Sequence, residues 1–150
     1  MNKTVLITGA DGFTGGYVAH DLAARGYRVI GLTRRDMPAA DFPHCAGLYS
    51  ADLMDQPALE AIVSETRPDA VMHLAAISFV AHGDADAIYT TNLIGTRHLL
   101  EALKRTHRPE SVLLASSANV YGNATPGAIS ESAVLAPAND YAVSKVAMEY

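Results

Sequence analysis

A serine at a strand end and a tyrosine/lysine pair at a helix start are the residues of this chain best equipped for proton chemistry. Ser116-Ser117-Ala118-Asn119-Val120-Tyr121-Gly122 follows an apolar run, and Tyr141-Ala142-Val143-Ser144-Lys145 comes after it. Spaced i, i+4, Tyr141 and Lys145 share one face of a helix. An ammonium near a phenol lowers the phenol's pKa, which turns a poor acid–base group into a usable one. A serine hydroxyl beside the pair can hold a carbonyl or alkoxide oxygen in place. Together they are equipment for moving a proton while a hydride moves elsewhere. Tyr-x-x-x-Lys alone is a weak signal, because helices form such pairs for structural reasons.

The other end of the chain supplies a place for a dinucleotide. Lys3 to Thr8 is a short apolar run with β-branched residues and reads as a buried strand. Gly9-Ala10-Asp11-Gly12-Phe13-Thr14-Gly15-Gly16 follows, and Tyr17, Val18, Leu22 and Ala23 then recur at helical spacing until Gly26. Strand, glycine turn and helix in that order make a glycine fingerprint credible. Gly9 permits the tight turn, Gly12 lets backbone approach a pyrophosphate, and Gly15 allows close helix–strand contact. The helix N-terminus offers N–H groups and partial positive charge to phosphates. The spacing is G-x-x-G-x-x-G rather than G-x-G-x-x-G.

Strand and helix alternate through the rest. Residues 28–32, 48–50, 70–74 and 111–115 read as strands; helices are expected from about Pro57 to Arg67 and over 85–107. Alternation with near-continuous apolar strands predicts an α/β fold, a Rossmann-type doubly wound parallel sheet with helices on both faces. The chain has 150 residues, 49% of them hydrophobic, enough for a real core. A net charge of −5 without a basic cluster argues against a nucleic-acid surface. The one cysteine, Cys45, fits a reducing compartment and reads as a structural thiol. The six histidines lack metal-ligand spacing, so no metal is expected. With neither a signal peptide nor an apolar run of membrane-spanning length, a cytoplasmic protein is the expectation.

Taken in order, Thr8 to Gly15, His73-Leu74-Ala75-Ala76, Asn92 to Thr96, Ser116 to Gly122, Ile129-Ser130-Glu131, Pro137 and Tyr141-x-x-x-Lys145 form a series. The series resembles the extended short-chain dehydrogenase/reductases that act on nucleotide sugars, in the NAD-dependent epimerase/dehydratase superfamily. Ala75 to Val80 is most similar to the branch of GDP-4-keto-6-deoxymannose reductases and sugar 4-epimerases. The resemblance implies Tyr141 as acid–base at the sugar C4 oxygen, Lys145 on the nicotinamide ribose, and Ser117 on the same sugar oxygen. It implies cofactor contacts from Gly9, Asp11, Gly12, Phe13, Thr14 and Gly15, from Asp52 and Leu53 at the adenine, and from Leu74, Ala75 and Ala76 along the ribose and pyrophosphate. Asn92 either joins them or belongs to a helix and water network. Members of this family continue for about as many residues again, so residues 1–150 are expected to be the N-terminal, cofactor-binding portion, without the substrate-binding part.

Cofactor choice can be argued from charge. NAD-preferring Rossmann folds place an acidic residue at the end of the second strand for the ribose 2′-hydroxyl, whereas arginine suits a 2′-phosphate. Here the strand ends on Arg34 and Arg35, with no carboxylate before Asp36. A guanidinium binds phosphate through two parallel bonds, so NADP(H) is favoured; if both arginines are merely solvated, NAD(H) serves as well.

The resemblance also bears on the reaction. Sugar 4,6-dehydratases of the family carry an acid and a base after the catalytic hydroxyl, and here those positions are Ala118 and Asn119. Neither can take the C5 proton, which argues against dehydration. A nucleotide-sugar 4-ketoreductase is the leading reading, a 4-epimerase the alternative, and a non-catalytic dinucleotide-binding protein a third. The full-length protein is expected as a homodimer paired through the 85–107 helix and its neighbour near Asp140. Leu93, Leu99, Leu100 and Leu103 spread wider than one core stripe requires.

Overall fold

The computed structural model describes residues 2–78, 83–122 and 127–150. At its centre is β1 (Thr4–Thr8), buried at all five positions, the pattern of a parallel strand covered on both faces. β1 pairs on one side with β2 (Arg28–Thr33), which pairs with β3 (Gly47–Ser50). On its other side lies β4 (Ala70–His73), followed by β5 (Ser111–Leu114). All pairings are parallel, and the order is β3-β2-β1-β4-β5. The order reverses between β1 and β4, and the crevice of a doubly wound sheet opens at the carboxyl ends there. The registers Thr8↔Leu32 and Thr8↔His73 bring the ends of β1, β2 and β4 to one edge.

Alternation along the strands sends side chains to two separate cores. Leu6, Ile30, Leu32 and Val71 pack with Leu59, Ile62 and Val63 of α2 (Gln56–Thr66) and with Leu99, Ala102 and Leu103 of α4 (Gly95–Thr106). Val5, Ile7 and Val29 pack on the opposite face with Ala19, Val18 and Leu22 of α1 (Phe13–Ala24). Helices on both faces of a parallel sheet are what the alternation predicts. Local signals set the ends of α2: Asp55 caps it by accepting from Ala58 N–H, and Arg67 closes it at φ 42° just before Pro68.

The chain divides into two compact units, one made of residues 1–75 and 97–115, the other of residues 76–96 and 116–150. The first holds the sheet with α1, α2 and most of α4. The second holds α3 (Ala85–Tyr89), a π-helical turn (Thr90–Ile94), a 3₁₀ turn (Ala118–Tyr121) and α5 (Asp140–Glu149).

One expectation is corrected. The 85–107 helix is interrupted at Thr90–Ile94, where one wide turn carries Asn92 inward. β5 stands last in the strand order, with Val112 and Leu113 37% and 48% exposed. Of the four leucines, Leu99 and Leu103 are core, Leu93 is half-buried and Leu100 is exposed.

Candidate active site

The first unit builds a cradle from β1, the glycine turn and α1. Gly9 takes φ +71°, and a Cβ there would lie 2.8 Å from Ala75 N, so neither conformation nor space admits a side chain. A Cβ on Gly15 would sit 2.2 Å from Gly9 O; the missing side chain is what lets α1 close on the turn. Gly9 and Ala10 N–H donate to Leu32 O, and Gly12 N–H donates to Gly9 O at 3.0 Å, so the loop is tied to β2 and to itself. Gly12 caps α1 with no side-chain bond, and the first helical bond runs from Gly16 N–H to Gly12 O. The N–H groups of Phe13, Thr14 and Gly15 thus precede the helical ladder, and α1 has no acidic residue in its first turn. A pyrophosphate fits such an end, through both the N–H groups and the helix dipole.

The remaining cofactor candidates of this unit flank the cradle. Leu74 N–H extends the β1 ladder by donating to Thr8 O, and Ala75 N–H donates to Thr8 Oγ1 at 3.2 Å. The Thr8 hydroxyl and His73 Nδ1 lie 2.6 Å apart, both buried. Phe13 is exposed and leans on Tyr17, ring centroids 5.0 Å apart. Arg34 and Arg35 are exposed just past β2, and Arg35 Nη2 lies 3.6 Å from Asp11 Oδ2. Asp52 accepts from Met54 N–H, while Leu53 is a core side chain whose carbonyl lies 3.1 Å from His98 Nδ1. Burial pushes the Cys45 thiol up from its ordinary value of 9.0, which suits an inert structural cysteine.

The second unit gathers the proton-transfer candidates around α5. Asn139 caps this helix by accepting from Ala142 N–H at 2.9 Å. Tyr141 and Lys145 stand one turn apart, 8% and 3% exposed. Between them in sequence, Ser144 is fully buried and donates to Tyr141 O at 2.7 Å. Asn92 Nδ2 donates to that hydroxyl at 3.0 Å and to Ile77 O at 3.0 Å, while Asn92 Oδ1 accepts Ile77 N–H at 2.8 Å. Both amide protons of Asn92 are therefore engaged within the protein. Tyr89 Oη, donating to Asp140 Oδ1 at 2.9 Å, adds a second tie from α3 to the start of α5. Burial lowers the Lys145 pKa from the ordinary 10.5.

Ser117 stands in extended backbone and caps the 3₁₀ turn, its Oγ accepting from Asn119 N–H at 3.2 Å. That contact uses a lone pair and leaves the O–H proton to be donated elsewhere. Its neighbour Ser116 donates to Glu149 Oε1. Ala76 is half-buried next to Ile77. Phe79 and Val80 lie outside the described residues. Among the described residues no cluster of His, Cys, Asp or Glu could hold a metal ion, and no helix is long and apolar enough to cross a membrane.

Sequence reasoning left two relationships unseen. Ser144 as the link between Asn92 and the α5 backbone gives no signal beyond a small polar residue inside Tyr-x-x-x-Lys. The Asp11–Arg35 pair joins residues brought together only by the β1–β2 register.

Known proteins of similar sequence and shape bear on this geometry. Residues 5–150 match the model of the NAD dependent epimerase/dehydratase family. A structure described as a "putative epimerase" from Burkholderia cenocepacia J2315 is 47% identical, with a TM-score of 0.88 over 99% of this chain and 48% of that one. UDP-glucose 4-epimerase from Brucella ovis, solved in complex with NAD, is 29% identical with a TM-score of 0.90, over 98% of this chain and 46% of its own. GDP-6-deoxy-D-talose 4-dehydrogenase of Aggregatibacter actinomycetemcomitans is 30% identical over 97% of this chain and 46% of its own length. The chain spans about half the length of the curated relatives it matches. It belongs to the NAD-dependent epimerase/dehydratase family.

Proposed function

We propose that the full-length protein is an NADP(H)-dependent oxidoreductase that reduces the 4-keto group of a nucleotide-linked 6-deoxyhexose. The observation that carries the reading is the pinning of the Tyr141–Lys145 turn by Asn92 through Ser144. A phenol and a buried ammonium fixed on a braced helix are what proton transfer needs, and a mere dinucleotide binder has no use for the phenol as an acid.

The cofactor, when bound, supplies a hydride; the protein supplies orientation and electrostatics. The N–H groups at the α1 N-terminus hold the pyrophosphate. Tyr141 gives its phenolic proton to the C4 oxygen as that carbon becomes an alcohol. Ser117, its Oγ already accepting from Asn119, donates its O–H to the same oxygen. Lys145 holds the nicotinamide ribose hydroxyls, and its positive charge stabilises the phenolate left behind. Asn92 acts through Ser144 as a positioning residue. Ala118 and Asn119 provide no base for a C5 proton, which keeps elimination of water out of this account.

A 4-epimerase using NAD(H) is the second reading, favoured by the Brucella ovis epimerase having been solved with NAD. One assay separates the two. Full-length protein incubated with NADPH and a GDP-linked 4-keto-6-deoxyhexose should oxidise the cofactor stoichiometrically. Interconversion of UDP-glucose and UDP-galactose with no net cofactor consumption would establish the epimerase instead.

A further inference from the structure

Asp11 and Arg35 face each other across the corner where the glycine loop meets the end of β2. Their charged atoms lie 3.6 Å apart, with side chains 23% and 72% exposed. Both backbones are fixed: Gly9 and Ala10 N–H donate to Leu32 O, Thr33 Oγ1 donates to Arg35 O at 2.7 Å, and Ser50 Oγ donates to Arg34 O at 3.3 Å. The two side chains can exchange partners while the corner stays in place.

This corner of a Rossmann fold reads the 2′ position of the adenosine ribose, with a carboxylate accepting from a hydroxyl or an arginine taking a phosphate. Arg34 and Arg35 follow β2, yet the fold brings a carboxylate to the same corner from the glycine loop. The adjoining pocket, about 270 Å³, adds Asp41 to Asp11 and has no lysine or arginine in its lining. A 2′-phosphate that bonds Arg35 does so beside Asp11, whose carboxylate already draws on the same guanidinium.

We infer that Asp11 is a specificity-determining residue whose carboxylate competes with the 2′-phosphate of NADP(H) for Arg35. It holds the preference for NADP(H) over NAD(H) below what the arginines alone would give. The inference rests on the proposed NADP(H) reading of the same corner. The pair is long and largely exposed, so the competition is a matter of roughly twofold to fivefold rather than of orders of magnitude.

The test is a binding cycle on full-length protein, with NADPH and NADH titrated calorimetrically against wild type, Asp11→Asn, Arg35→Gln and the double variant. Titrations of 2′,5′-ADP and 5′-ADP repeat the comparison without the nicotinamide. Asp11→Asn should tighten NADPH and 2′,5′-ADP about twofold to fivefold relative to NADH and 5′-ADP, and this relative shift should vanish once Arg35 is gone. Equal tightening of all four ligands would mean plain repulsion of phosphate and would overturn the inference. So would weaker NADPH binding, or an effect that persists without Arg35. The Arg35→Gln arm tests the underlying reading separately: loss of NADPH preference there with no response to Asp11→Asn refutes the competition alone, whereas an unchanged preference refutes both.

Discussion

Asn92 and Ser144, fifty-two residues apart in the chain, are joined by a buried 3.0 Å hydrogen bond that ties a π-helical turn to the helix carrying Tyr141 and Lys145. Within a helix, π turns are rare and concentrate at functional sites. Here the extra residue in the turn aims Asn92 at Ile77 and at Ser144 together. Ser144→Ala deprives one buried amide proton of its partner and should cost about 1–3 kcal/mol. Urea denaturation followed by circular dichroism would read this as a lower midpoint at unchanged slope, and the full-length enzyme should lose more in kcat than in KM. A fall in stability with kcat untouched would make the bond structural only.

Two adjacent glycines should respond in opposite directions. Gly15→Ala places a methyl 2.2 Å from Gly9 O and must push α1 off the turn; overpacking of this kind costs about 1–3 kcal/mol. Gly16 has nothing within 4 Å of the same position, so Gly16→Ala should stabilise α1 by about 0.5–1 kcal/mol. Thermal unfolding would register both, and dinucleotide titration should show lost affinity for Gly15→Ala only.

Cofactor preference should follow the arginines. Neutralising Arg34 and Arg35 removes charge-assisted bonds, at about 1.5–3 kcal/mol each, that only a 2′-phosphate can use. NADPH should weaken tenfold or more relative to NADH in equilibrium titration. Equal weakening of both would show that these side chains do not read the 2′ position.

The pH dependence assigned to Lys145 has a definite sign. Its folded-state pKa is lowered by burial from 10.5, so the charged form carries an energetic cost that is fully present below the folded value. As pH rises from the folded value toward 10.5, the native state sheds its proton first. The unfolded chain then binds more protons, and stability rises with pH. Wild type should therefore gain on Lys145→Met through that window in paired urea titrations. Cofactor affinity should fall over the same range in wild type as the ammonium is neutralised, and Lys145→Met should lack that dependence.

Much of this was legible because the signals are local. β1 announces itself as five apolar or β-branched residues running into glycine, and Asn139 and Asp55 sit where caps belong. Tyr141 and Lys145 stand out by type and spacing and Ser117 by the family resemblance, and all three lie in one unit. What escaped depends on distant pairing. A π turn adds a single residue to a helical repeat, and the leucines around Asn92 read equally well without it. Asp11 was expected at the cofactor, but its pairing with Arg35 depends on the β1–β2 register and has no local signal.

The most direct test of the account is single-turnover and steady-state reduction of a GDP-linked 4-keto-6-deoxyhexose by full-length wild type and Tyr141→Phe, with NADPH affinity measured in parallel. Removing the phenol while keeping the ring should lower kcat by about 10²–10⁴ and leave the cofactor dissociation constant within about twofold, since the pyrophosphate cradle belongs to residues of α1 and its glycine turn. Near-normal turnover by Tyr141→Phe would contradict the assignment of Tyr141 as the proton donor and the proposed reaction with it.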